Sequence, residues 1–456
     1  MSVTVSAARK SEAARERPLG AEVSVQPGVV RVVSGFGADS AGAAESSIVD
    51  LGGPKRVTLM LTPRGRGSFR EQAEEVLTKL HAILARQPVQ MAVTIQTVFL
   101  RDPRDQRECE QILAAHNGDK PPITNFVQQP PCCGAALALE AWAIGGPSVA
   151  LKHFGSQGLS VSYDGVRWIY AAGLARDCST GGVYANTLDA LEGARALLAK
   201  AGSGFDHVVR TWFCLGGITE PETQTQRYKE LNRARADFYH DISFGGGLPR
   251  PDLAHSAYPA STGIGMAGRG LVLSCLALET RREDARLVPL ENPGQTPAYA
   301  YHLKHSPQSP KFSRAMALVL GDYVTTWISG TASILDSESR HPGDIDKQTN
   351  QTIDNIERLI SRENFALHGV GNAGATLRDL AKIRVYLKHP EDFARCAAVC
   401  GRRFGRVPAI YAHADVCRPE LLVEIEGIAF SRLLAPNERP ADSGPAGKDS
   451  KPLRAL

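Results

Sequence analysis

The feature that most limits what this chain can fold into is a domain-sized repeat: one order of elements is written three times along its 456 residues. The first copy opens on a strand pair near 30–33 and 57–61. An amphipathic helix over 68–86 follows, with Phe69, Ala73, Val76, Leu77, Leu80, Ile83 and Leu84 at helical spacing and Ser68 and Glu71 set as a capping box. A strand over 91–100, an Asp-Pro turn at Asp102 and Pro103, a helix over about 104–116 and β-rich stretches over 123–127 and 135–144 complete it. The second copy gives strands at 161–163 and 168–171, a helix at 184–200, a strand at 207–215, a helix at 223–239 and a strand at 270–279. The third gives strands at 315–320 and 324–328, a helix at 346–362, a strand at 379–387, a helix at 390–404 and a strand at 421–430. Each copy reads β-β-α-β-α-β-β. That order predicts an α+β fold, a mixed sheet with two helices on one face, and excludes a doubly wound parallel sheet. Turn-forming stretches at 245–251, 289–297 and 308–310 separate the copies. Boundaries near 150 and 300 give units over 26–150, 151–300 and 301–435, and the polar tails 1–25 and 436–456 are expected to be disordered.

Charge and cysteine usage narrow the function class. Lys and Arg number 52 against 48 Asp and Glu, with no block of like charge, which argues against a nucleic-acid partner. No apolar run reaches the roughly 18 residues of a membrane span. The first residues carry Arg9, Lys10, Arg15 and Arg17 without an apolar stretch behind them, unlike a secretory signal. The nine cysteines form no C-x-x-C pair and the twelve histidines no metal-ligand spacing. The expectation is a cytoplasmic protein with reduced thiols and no metal or cofactor.

Comparison of the copies isolates one residue. Along 421–430, alternation puts Leu422, Glu424 and Glu426 on one face and Val423, Ile425 and Ile428 on the other, with a register break expected near Gly427. A carboxylate inside an apolar strand is costly to bury unpaired. Glu426 has a counterpart at Glu140, which favours a salt-bridged structural role. Glu424 aligns with Ala138, and the second copy's LVLSCLALE has no acid before Glu279, so one copy alone offers a carboxyl group at this point. Arg384 sits in the apolar IRVYL where the other copies have Thr97 and Trp212, so it needs either an acidic partner or an anionic ligand. Arg210 and Arg418 read as weaker, solvated candidates. Cys417 taken alone is a small core thiol. Tyr411 is either a hydrogen-bond donor or a half-buried strand residue, and Gln348 and Thr352 share one helix face.

The sheet-and-two-helix unit, with its final E-x-E-x-x-A strand, resembles the Rid (YjgF-like) small-molecule enzymes. That resemblance implies three units arranged as a pseudo-trimer within one chain, monomeric as a whole. The runs YPASTGIG (258–265), KFSRA (311–315), WISGTASI (327–334), HPGD (341–344) and AIYAHADVCRPELLVEIE (409–426) are similar to the chorismatase/3-hydroxybenzoate synthase family, over about 120–430. The resemblance implies cleavage of the enolpyruvyl ether of chorismate, without a cofactor, to pyruvate and 3-hydroxybenzoate or a dihydroxycyclohexadiene carboxylate. In that reading Glu424 protonates the enol ether methylene, Cys417 and Gly330 direct the fate of the ring, Arg384 and Arg314 hold carboxylates, and Tyr411, Thr262 and Gly263 line the site. The alternatives are a Rid-type imine or enamine deaminase, whose marker arginine would fall near Ala409, and a non-catalytic pseudo-trimer that binds a small carboxylate.

Overall fold

The computed structural model describes residues 29–34, 44–118, 121–222, 224–249, 257–301 and 308–434. The two tails expected to be disordered lie outside the described residues. A first sheet comprises β1 (Val30–Ser34), β2 (Ala44–Val49), β3 (Lys55–Leu61), β4 (Ala92–Leu100), β5 (Ile123–Val127) and β6 (Leu137–Gly145), with α1 (Phe69–Ala85) and α2 (Gln106–Asn117). The second comprises β7 (Ala150–His153), β8 (Gly158–Tyr163), β9 (Val166–Arg176) and β10 (Val208–Gly216), then β13 (Ala260–Met266) and β14 (Leu271–Thr280), with α3 (Gly182–Lys200) and α4 (Arg227–Tyr239); a short ribbon, β11 (Pro221–Glu222) and β12 (Thr225–Gln226), precedes α4. The third comprises β15 (Ala285–Leu290), β16 (Ala315–Leu320), β17 (Tyr323–Ala332), β20 (Leu380–Leu387), β21 (Ala409–His413) and β22 (Val423–Arg432), with α5 (Ile345–Ile360), α6 (Arg362–Leu367) and α7 (Phe393–Phe404); its ribbon is β18 (Ile334–Leu335) with β19 (Glu338–Ser339).

Counting the six strands of each sheet in chain order, all three sheets share the lateral order 1-2-3-6-4-5. The fourth and fifth strands run parallel and the other pairs antiparallel, so the sheets are mixed, as the repeat predicts. The local reasons are those of the sequence. Ser68 caps α1 reciprocally with Glu71, whose carboxylate accepts from the Ser68 amide at 2.7 Å. Each sheet has one leading strand more than alternation revealed. β7 is a short exposed edge, and β15 carries Pro289, which read as a breaker; an edge strand tolerates proline because it need not donate on its free side. β15 pairs with β16, so the third sheet starts before residue 300.

One face of each sheet packs on its own helices, giving three separate helix–sheet cores. The opposite faces meet one another. Trp168, Leu276, Trp327, Ile428 and Phe430 belong to one inter-sheet core, and Phe99, Ala138, Val272 and Tyr386 to a second. Ile428 therefore lies on the same face as Glu424 and Glu426, contrary to the expected break at Gly427. The irregularities fall in the neighbours of β22, between Ile328 and Thr331 of β17 and between Leu380 and Lys382 of β20. A bulge placed in a partner strand leaves the alternation of β22 intact. Among the described residues no helix is long and apolar enough to cross a membrane.

Candidate active site

The ladders fix which residues are equivalent. Glu424 lies opposite Tyr386, Ala138 opposite Phe99 and Val272 opposite Cys214; two residues along, Glu426 faces Arg384, Glu140 faces Thr97 and Ser274 faces Trp212. The third sheet alone thus places a carboxyl group at the Glu424 position, while Ala138 and Val272 are absorbed into an apolar core.

The two glutamates of β22 have opposite surroundings. Glu426 accepts from Arg210 Nη2 at 2.6 Å, from Trp212 Nε1 at 3.2 Å, from the Tyr386 hydroxyl at 3.3 Å and from the Thr262 hydroxyl, and Arg384 Nη1 lies 3.2 Å away. Burial raises its proton affinity, but Arg384, Arg210 and Lys382 outweigh it and hold Glu426 below the usual carboxylate range. Glu140 is likewise buried yet brought down to about 2 by Arg384 and Lys382, which sit 2.5 and 2.8 Å from its oxygens. Glu424, 4% exposed, is pushed up to about 8, first by burial and then by the neighbouring Glu426 charge, against weaker opposing pulls from Arg210 and Arg314. At neutral pH it is a carboxylic acid and can donate a proton.

Glu424 faces a pocket lined from α4 and β13 of the second sheet's segment and from β17 and β22 of the third's. The bulge in β17 brings Gly330 against it. A Cβ at residue 330 would fall 1.9 Å from Glu424 Oε1, so the carboxyl group occupies space that only glycine leaves open. The Gly330 amide donates to Thr262 Oγ1 at 3.0 Å, and Thr262 in turn donates to Glu426, which places Thr262 beneath the pocket. Gly263 lines the wall, where a Cβ would press on the Tyr228 ring at 2.9 Å. Cys417 is also on the wall, its thiol pushed up to about 12 by burial and then by Glu424, so it is neutral.

Two buried guanidinium groups border the pocket. Arg314 donates through Nη2 to the Tyr301 hydroxyl at 2.6 Å and to the Thr296 carbonyl at 3.1 Å, and its Nε has no partner. Arg235 donates to Asn232 Oδ1 at 2.6 Å and Ser261 Oγ at 3.1 Å, and its Nε is also unpaired. Sequence reasoning missed Arg235, Asn232 and Tyr228. Their i, i+4, i+7 spacing puts three polar or aromatic residues on one face of α4 while Leu231 and Phe238 turn to the core, and that pattern was the available signal.

Several sequence candidates lie elsewhere. Arg384 is outside the pocket: it is 8% exposed and bound to Glu140 and Glu426, so its partner is acidic protein and not ligand. Arg210, expected to be solvated, is 2% exposed and paired with Glu426. Tyr411 packs edge-on against Phe393 at 5.2 Å, and its carbonyl accepts from the Cys132 amide, away from Glu424. Gln348 and Thr352 are buried rather than solvated. Gln348 donates to the Glu420 carbonyl and accepts from the Leu422 amide, tethering the chain as it enters β22. Arg418 borders the pocket and donates to the Ser337 carbonyl at 2.8 Å.

No protein-family model matches the chain. A 3-hydroxybenzoate synthase of Streptomyces hygroscopicus is 35% identical over 235 residues, 50% of this chain and 64% of that protein, so the match spans less than two thirds of that relative. A chorismatase of Streptomyces rapamycinicus is 32% identical over 298 residues, covering 63% of this chain and 81% of the relative. A RutC family protein of Pyrococcus abyssi is 31% identical over 120 residues, 84% of its length and 25% of this chain. A crystal structure of a chorismatase superposes with a TM-score of 0.59 over 82% of this chain and 98% of that one, at 22% identity, and so shares the fold. With 81% of the Streptomyces rapamycinicus chorismatase matched at 32% identity, the chain belongs to the chorismatase family.

Proposed function

We propose that the protein is an enzyme that cleaves the enolpyruvyl ether of chorismate and releases pyruvate, with Glu424 as general acid. The observation that carries this is a carboxylic acid kept protonated at neutral pH beside two buried guanidinium groups that each retain an unpaired donor. Chorismate carries two carboxylates, and Arg314 and Arg235 are the groups suited to hold them. Protonation of the terminal methylene by Glu424 leaves an oxocarbenium-like carbon bonded to the ether oxygen. The carbonyl oxygen of pyruvate then comes from water, leaving the dihydroxycyclohexadiene carboxylate, or from the ring's own hydroxyl, whose bond to the ring breaks as the ring loses a proton and aromatises, leaving 3-hydroxybenzoate with no net water consumed. Cys417, neutral and apolar, and Gly330, which sets how close the acid approaches, are the residues we assign to that choice. The family resemblance of both positions favours 3-hydroxybenzoate.

The three sheets of one lateral order, and a RutC relative matched over a single unit's length, support three tandem Rid-like units forming a pseudo-trimer within one chain, the third starting at Ala285. The site then sits between the second and third units. The nine scattered cysteines, with no C-x-x-C pair, suit a reducing, cytoplasmic setting. Incubation of the purified chain with chorismate, following pyruvate and aromatic products by mass spectrometry, tests the reading; absence of pyruvate overturns it.

A further inference from the structure

Along β22 the side chains on the inter-sheet face run from Glu424 through Glu426 to Ile428 and Phe430, and beyond the ion pairs a second cavity of about 300 Å³ opens. Its walls come from all three sheets and carry Trp142, Tyr163, Trp168, Tyr170, Trp327 and Phe430, so the interior offers flat apolar faces. Three of its polar atoms have a proton left to give. The Tyr163 hydroxyl accepts from Arg56 Nη2 at 2.6 Å and from Trp168 Nε1 at 2.5 Å, which leaves its own proton to give. Arg56 Nη1 and Trp327 Nε1 are buried with no acceptor. The Arg56 guanidinium stacks on the Tyr163 ring at 4.9 Å, and among the described residues no carboxylate reaches it. Asp164 and Asp322, at the hairpin turns around the mouth, are exposed to water. A guanidinium nitrogen and an indole N–H buried without acceptors are costly, and an apolar cavity with a few convergent polar groups is the usual form of a small-molecule site.

We propose that this cavity binds a planar aromatic monocarboxylate, its carboxylate on Arg56 Nη1 and the Tyr163 hydroxyl and its ring among the tryptophans. The site is separate from the Glu424 pocket and does not depend on the activity assigned to that pocket.

Benzoate is the probe. Three of the chain's four tryptophans line the cavity, and Trp212 is on Glu426, so intrinsic fluorescence reports occupancy. Titration of the full chain is expected to give saturable quenching that survives Arg314→Met, weakens about tenfold or more in Arg56→Met, and falls between the two in Arg56→Lys, which keeps the charge without the planar fork. Benzamide, isosteric and uncharged, is expected to bind weakly. The proposal is overturned by the absence of saturable quenching, by quenching lost in Arg314→Met and kept in Arg56→Met, or by equal binding of benzamide. Should circular dichroism show Arg56→Met to be unfolded, Tyr163→Phe replaces it in the same comparison.

Discussion

For single residues, Glu424 and Glu426 stand two apart on one face of one strand, the first neutral and the second ionised, because their neighbours differ. Glu426 meets two guanidinium groups and three neutral donors; Glu424 is buried against Gly330 with the Glu426 charge nearby. Glu424→Gln keeps the shape and removes the proton, and is expected to lower kcat for pyruvate release by about 10²–10⁴, as loss of a general acid does. The acid must be protonated, so wild-type kcat should hold at low pH and fall as pH rises through about 8. The same shift enters stability. A carboxyl group whose folded pKa is raised above its unfolded value stabilises fully below the unfolded value and loses that contribution as pH climbs to the folded one. The melting temperature of Glu424→Gln relative to wild type should therefore rise between about pH 4.5 and about pH 8. Gly330→Ala forces the Glu424 carboxyl to move, since the added carbon would lie 1.9 Å from Oε1; product analysis should show a changed ratio of aromatic to diene acid together with lower kcat.

At the scale of the element, the site is an effect of a bulge and a helix face. The irregularity between Ile328 and Thr331 turns Gly330 toward β22, and α4 presents Tyr228, Asn232 and Arg235 to the same space. The outstanding acid of the third copy was legible because three copies of one strand are in the chain, and the ladders place Glu424, Ala138 and Val272 at one position. Arg235 was not legible. Its guanidinium meets Asn232 on its own helix and Ser261 on β13, and it shares a pocket with Glu424 and Gly330 from distant parts of the chain, whereas a helix pattern alone says only that the residue is polar. Arg235→Met should raise KM for chorismate about tenfold or more, as loss of a charge-assisted contact to a carboxylate does. Steady-state kinetics check this, with circular dichroism to establish that the helix is retained.

At the scale of the whole molecule, the three sheets are joined by a buried ion cluster between two apolar layers. Glu140 comes from the first sheet, Arg210 and Trp212 from the second, Lys382, Arg384 and Glu426 from the third. Glu140→Gln leaves Lys382 and Arg384 short of charge in the interior and should cost about 3–5 kcal/mol, the usual effect of breaking a buried pair. Chemical denaturation measures it. A loss confined to the first sheet's signals, with the other two unfolding as in wild type, would show that the sheets are not one cooperative body.

The three similar runs of elements, the α+β class and the one acid without a counterpart are legible along the chain, because alternation, helical spacing and copy number are properties of residues read in order. What each buried charge faces is visible in the folded molecule alone. Arg384 and Arg314 are both arginines next to or within apolar strands, yet one neutralises Glu140 and Glu426 while the other keeps a free donor at the pocket. That difference arises where sheets from distant parts of the chain meet, since the energy of a buried ion is set by its nearest neighbours in space and not by those in sequence.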